Sequence, residues 1–418
     1  MKEGPKNRLR EQDIHRIVDV FTREDASDPC YARMVSFDEI EKNDFNLNLP
    51  RYIDSARTED VQDIEAHLNG GIPAADIEAL GHYWAVCPRL QGVLFEPLRP
   101  GYASLAVEAA AVKATVHAHP EFAAFIARMD AHFAQWRAPA RQQLVALQTG
   151  FHPKALIEQV AEGLLAHYQG LPLIDAYSVY QHLMDYWAAS MQDDAYAIAA
   201  DGWVARTRRV FETKKGKKGE PDKQLDKGWN CDLLPKPYIV ARYFVAEQAV
   251  IDWLGVDLEA VLALITELEE EHNGEDDVFS GFDKINAASV KERLRDLGGA
   301  LDDEEGRVLP EWQRLTAQAT KLKKKLGEAE ATLDDAAYAQ YPQLTEAEVQ
   351  GLVVDDKWLA ALDVAVHGEM DRMSRALTHR VKELAERYGT PLPQLVERAD
   401  ELEAKVQRHL ATIGFGWT

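Results

Sequence analysis

The chain is 418 residues long, 46% hydrophobic and 28% charged, with a formal net charge of −23. That length predicts two or three domains with ample core, and the acidity disfavours non-specific binding to DNA or anionic membrane while leaving room for a local basic patch. The three cysteines, Cys30, Cys87 and Cys231, lie far apart, which argues against a disulfide framework and a zinc motif; with no signal peptide and no apolar run of about 18 residues, the chain reads as cytoplasmic and not membrane-spanning.

Ala, Leu, Glu and Gln are abundant, so the bulk is expected to be helical. Residues 8–22 place Leu9, Ile14, Ile17, Val18 and Phe21 at roughly helical spacing. Tyr31–Val35 reads as a short β-like run. Ser36 with Glu39 three residues on reads as a helix start, and Asn43-Asp44 as its break. Phe45 to Leu49 alternates apolar and polar, which predicts a half-buried strand ended by Pro50. Two strands and a helical turn cannot bury a core alone, so this stretch is expected to be the rim of a larger sheet whose other strands the chain does not supply.

Asn69-Gly70-Gly71 stops a short helix, and a proline-rich region around Leu94 and Phe95 reads as loop. From Tyr102 to Ala200 the pattern is nearly all helix, with breaks expected at Pro120, Pro139, His152-Pro153 and Gly170-Leu171-Pro172. Residues 203–243 differ: 203–207, 209–213 and 238–240 are β-prone, and a cationic loop separates them. This stretch carries 11 Lys/Arg against 5 Asp/Glu. Trp312, Leu315, Ala319, Leu322, Leu326, Ala329 and Leu333 then repeat as a heptad seam. Leu359, Leu362, Val366, Met370, Met373, Leu377, Val381, Leu384 and Tyr388 follow a 3,4,4 spacing, and Leu395, Ala399, Leu402, Val406, Leu410 and Ile413 mark a last helix. The expected fold is mainly α: a small β-containing segment at 1–54, a multi-helix domain at 55–305 with a basic hairpin-like loop at 203–243, and a C-terminal coiled-coil assembly at 306–418.

The segments KNRLREQDIHRIVDVF, YARMVSFDEIEKNDFNLNLPRYID and AHLNGGIP, with the ending AVHGEMDRMSRALTHRVKELAERYGTPLPQLVERADELEAKVQRHLATIGFGW, closely resemble the modification subunit of type I restriction–modification systems. The resemblance covers roughly 7–102 and 340–418. It implies an N6-adenine DNA methyltransferase that uses S-adenosylmethionine in a Rossmann-like domain and docks its helical C-terminus on a specificity subunit. The family's Asp-Pro-plus-glycine cofactor loop and its Asn-Pro-Pro-Phe motif are both missing here; Asp28-Pro29 is followed by Cys30-Tyr31. The chain is therefore expected to be the C-terminal part of such a subunit, with 31–53 as the remnant of a truncated methyltransferase sheet. On this expectation it binds no cofactor alone, and S-adenosylmethionine belongs to the complete enzyme. Its implied partners are the specificity subunit, DNA within the assembled complex, an upstream methyltransferase fragment and the restriction subunit. Two other readings stay open: one half of a split, active enzyme, and a stand-alone coiled-coil adaptor.

Candidate DNA contacts are Arg206, Arg208, Arg209, Lys214, Lys215, Lys217 and Lys218, since each cation that meets a phosphate releases a counterion; a solvated hairpin tip explains the same residues. Candidate docking residues are Leu359, Val366, Met370, Met373, Leu377, Leu384, Leu395, Leu402 and Val406, which serve self-packing equally well. Asn43 and Asn46 read first as turn residues and second as groups closing a cleft. His117 with His119 and Glu121, and His379 with Asp371, fall short of the three or four convergent ligands a metal needs, and Cys87 near His82 reads as structural.

Overall fold

The computed structural model of the chain describes residues 2–3, 6–53, 62–214, 223–274, 277–280, 282–296 and 304–412. Helices α1 (Glu11–Arg23), α2 (Val112–Ala118), α3 (Pro120–Val145), α4 (Pro153–Tyr168) and α5 (Ala176–Tyr186) lie ahead of α6 (Val245–Glu271), α7 (Ala287–Asp296), α8 (Glu305–Gln340), α9 (Ala360–Tyr388) and α10 (Leu392–Thr412). The fold is mainly α, as expected. Its strands are few and antiparallel. β1 (Lys2–Glu3) pairs β2 (Lys6–Asn7); β3 (Ile72–Pro73), β4 (Phe95–Arg99) and β5 (Tyr102–Leu105) form a sheet in the order β3-β5-β4; β6 (Arg208–Lys214) pairs β7 (Lys223–Asn230).

The chain falls into two compact units. One unit joins residues 1–199 with 358–418, and the other is 200–357. In the first unit the 3,4,4 stripe of α9 is the centre of the core. Leu362, Val366, Met370, Met373, Leu377, Val381, Leu384 and Tyr388 are all at most 5% exposed, and the helix lies against α2, α5 and β3. Trp358, fully buried, donates its indole N–H to the buried Asp194 carboxylate at 2.8 Å. Gly71 sits at φ +94°, and a Cβ there would meet the Leu98 side chain at 3.0 Å and Tyr102 Cβ at 3.2 Å, which ties this turn to glycine.

In the second unit α8 and α6 pack together. Trp312 donates its indole N–H to Glu269 at 2.6 Å, and Leu315 and Ala319 meet Val261, so the two helices run antiparallel. Of the heptad positions, Trp312, Leu315, Ala319 and Leu322 pack with residues of α6.

Several local expectations are corrected. Residues 31–35 and 45–49 contain no strand. Asp44 and Phe45 turn the chain at φ +57° and +56°, so the alternation there decorates a turn and a 3-10 stretch at Leu49–Arg51. Pro139 lies inside α3 without ending it; the lost backbone bond is outweighed by the buried row Phe125, Met129, Phe133, Trp136, Ala140 and Leu144. Residues 238–240 belong to a helix, Lys236–Tyr243, where Ile239 and Val240 are buried, and the partner of β6 is β7 instead. The region read as loop around Phe95 supplies β4 and β5.

Leu377→Ala is expected to cost about 2–5 kcal/mol, the range for a truncated core leucine. Urea unfolding of the isolated chain measures it; an unchanged midpoint would place this side chain outside the core.

Candidate nucleic-acid interface

The basic stretch folds as a hairpin. Lys214 lies opposite Lys223 and Arg208 opposite Asn230, with a bulge between Arg209 and Phe211. Its base is held to α8 by Trp229, whose indole N–H donates to Asp334 at 2.9 Å and whose ring packs on Tyr338 and Tyr341. Lys236 reaches the same carboxylate at 2.5 Å, and the hydrogen bonds to it hold Asp334 below the usual carboxylate range despite its partial burial.

Four cations of this stretch have carboxylate partners among the described residues. Arg206 approaches Asp201 at 3.6 Å. Arg208 grips Asp232 through both Nε and Nη2 at 2.9 Å, and Arg209 donates to Asp226. Lys227 pairs with Glu212 at 2.8 Å. These groups stand in solvent, so the pairs are weak and exchangeable. Lys214 ends β6, opposite Lys223 in the register of the two strands. Lys215, Lys217 and Lys218 lie outside the described residues. The role of Asp226 and Asp232 was not legible in the sequence, because it depends on which residues face each other across the two strands.

The docking candidates separate into two groups. Leu359, Val366, Met370, Met373, Leu377 and Leu384 are buried in the chain's own core. Leu395, Leu402 and Val406, on α10, are half exposed, and no residue of that helix is buried. Leu395, Leu402 and Val406 recur at spacings of seven and four, one apolar face of a helix.

At the N-terminus the amphipathic pattern is inverted. Helix α1 is fixed by polar contacts: Gln181 Oε1 accepts from the Gln12 N–H at 2.9 Å, His15 Nε2 meets Glu162 at 2.6 Å, and Tyr177 donates to Asp19 at 2.8 Å. Burial and that carboxylate push the Tyr177 phenol up to about 12. Meanwhile Ile14, Ile17, Val18 and Phe21 face outward, Phe21 with 84% of its surface open, and Met34, Phe37, Phe45, Leu47 and Leu49 of the next segment are also exposed. Asn43 donates to the Glu39 carbonyl at 3.0 Å and Asn46 Oδ1 accepts from Asn48 N–H at 3.0 Å, both in turn roles.

The other candidate groups hold structure. His117 Nε2 lies 2.9 Å from the Ser374 hydroxyl, and His119 caps α3, accepting from the Glu121 N–H at 3.3 Å. Burial, aided by Glu121, pushes the Cys87 thiol up. Among the described residues no three His, Cys, Asp or Glu converge on a common point where a metal would sit. Every described strand pair is antiparallel. Asp28, in the one Asp-Pro of the N-terminal segment, spends its carboxylate on the Cys30 N–H at 3.1 Å and on Arg16 at 3.6 Å.

Residues 1–61 match the family model described as N-6 DNA Methylase, 61 residues of the 418. Neither curated proteins nor solved structures give a match. The start of the chain is thus similar to adenine DNA methyltransferases, and it is this start that carries the inverted surface. Among the described residues no helix is long and apolar enough to cross a membrane.

The Arg209 guanidinium, joined by the Gly228 N–H, holds the Asp226 carboxyl below its ordinary range. A depressed carboxylate adds stability above its unfolded value, near ~4, and that contribution is lost as pH falls through the lower folded value. Arg209→Gln is expected to raise the Asp226 titration toward that of an unpaired aspartate, read by carbon NMR of the labelled carboxyl; an unmoved midpoint would remove Arg209 as the cause.

Proposed function

We propose that the chain is the assembly region of a type I modification subunit, acting within an adenine-N6 DNA methyltransferase. The N-terminal segment covers, and is covered by, a methyltransferase core, on this polypeptide or a separate one, where methyl transfer from S-adenosylmethionine takes place. Helix α10 docks on the specificity subunit's coiled-coil spacer, and the hairpin of β6 and β7 contributes phosphate contacts as the complex encloses DNA. The observation that carries this reading is the coincidence at the N-terminus. The residues similar to N-6 DNA methylases are also those that turn an apolar face to solvent while a polar edge anchors them. Continuous exposed apolar surface marks an interaction site. The same face favours the second reading, one half of a split enzyme, since it suits a core supplied in trans.

Co-expression with the specificity subunit and a methyltransferase core, followed by affinity capture and size exclusion, tests the assembly. Leu395→Glu with Leu402→Glu is expected to abolish capture by the specificity subunit and leave the melting temperature unchanged, because both side chains are half exposed. Val18→Glu with Phe21→Glu is expected to release the core alone. Capture that survives both pairs of substitutions defeats the reading. Methyl incorporation by the three-component mixture decides for the split enzyme.

Freeing the hairpin cations gives a separate check. Asp226→Asn with Asp232→Asn releases Arg209 and Arg208. The double variant is expected to bind short duplex DNA several-fold more tightly at low salt, with the salt slope steeper by up to ~2. Fluorescence anisotropy over a salt series reads both, and an unchanged slope would argue against hairpin contact with phosphates.

A further inference from the structure

Helices α2 and α9 border an open cavity of about 340 Å³ in the first unit, the low end of the size range of small-ligand sites. Lys113 of α2 enters it from one side, and Arg375, His379 and Lys382 line it from one face of α9. Thr378, 8% exposed, also lines it, and its hydroxyl has no hydrogen-bond partner among the described residues. A helical threonine ordinarily donates to the carbonyl four residues back. Thr115, Thr266, Thr320, Thr332 and Thr412 all do so here, at 2.8–3.1 Å. Thr316 also lacks a partner, but of the two it is Thr378 that lines this cavity.

The charge around that hydroxyl is positive, in a chain of formal charge −23. Lys113, Arg375 and Lys382 form no ion pair among the described residues, and Arg375 spends only one N–H, on the Asp371 carbonyl at 3.2 Å. Two carboxylates also border the cavity, Glu383 and Glu386. Glu383 is already neutralised, accepting from Arg380 at 3.0 Å and from Arg387 at 2.7 Å. Three uncommitted cations therefore stand against one uncommitted carboxylate, over a buried hydroxyl able to donate.

We propose that this cavity binds a phosphate group, either a phosphodiester of a nucleic-acid backbone or a free phosphate. A tetrahedral oxyanion offers acceptors in several directions at once. The two lysines supply point charges, the Arg375 fork supplies paired N–H donors, and the Thr378 hydroxyl gains the acceptor its own helix denies it. The site is independent of α10, of the hairpin and of the apolar N-terminal face, so it stands or falls apart from the assembly reading.

The test uses the full chain alone at low ionic strength, with inorganic phosphate followed by titration calorimetry and a short fluorescent duplex followed by anisotropy. Thr378→Val keeps the shape and removes only the hydroxyl. It is expected to weaken binding roughly tenfold, the scale of one hydrogen bond to a charged group, without lowering the melting temperature, and Thr378→Ser is expected to restore binding. Lys113→Gln with Lys382→Gln is expected to cause a loss of at least the same size. If both the phosphate and the duplex affinities fall, and phosphate competes with the duplex, the ligand is a backbone phosphodiester. If phosphate alone is affected, it is a free phosphate, and if the duplex alone is affected, it is the backbone. No saturable binding of either probe, or variants that bind both like wild type, overturns the proposal.

Discussion

The eight apolar side chains that α9 buries between Leu362 and Tyr388 are what the first unit is built on. Each contributes on the order of 1.5–3 kcal/mol when fully removed from water, and together they draw the end of the chain back onto helices formed within its first 199 residues. This closure also places several polar groups. It sets Glu369 beside His182 at 2.8 Å and Arg372, where, although burial pushes the carboxyl the other way, those two partners hold it below its usual range. It sets Ser374 beside His117, and it brings Lys113 up to Arg375 and Lys382 around the Thr378 hydroxyl.

With that stripe used for self-packing, the apolar surfaces left without cover stand out. Helix α10 and the N-terminal segment are the clearest. Both are amphipathic, and both present apolar side chains outward. In α1 the polar side is the anchored one, held by Gln12, His15 and Asp19, so water meets the side a lone helix would hide. An arrangement of this kind is costly in isolation and economical in a complex, where the open face gains a partner.

Charge follows the same logic. The hairpin holds a local excess of cations in a strongly acidic chain, yet Arg208, Arg209 and Lys227 each find a carboxylate nearby. Pairs this exposed are loosely held, so they moderate the patch without removing its cations from use. The cavity between α2 and α9 is the opposite case, because its cations are not offset by partners of their own.

Helical character, the α9 stripe, the apolar spacing of α8, the Ser36 start signalled by Glu39 and accepted at 3.3 Å, the β-prone run at 209–213, and the likeness of the N-terminus to adenine methyltransferases are all legible in the amino-acid order. Most of these are local periodicities and local chemistry, each set by residues within a few positions of one another. Contacts between distant segments settle the rest: that α8 pairs with α6, that α9 is core while α10 is open, that 45–48 turns into a 3-10 stretch, that Pro139 sits inside a helix, and that Asp226 and Asp232 hold the hairpin arginines. A stripe of apolar residues states that something covers it but not what, since burial against one's own chain and burial against a partner demand the same side chains.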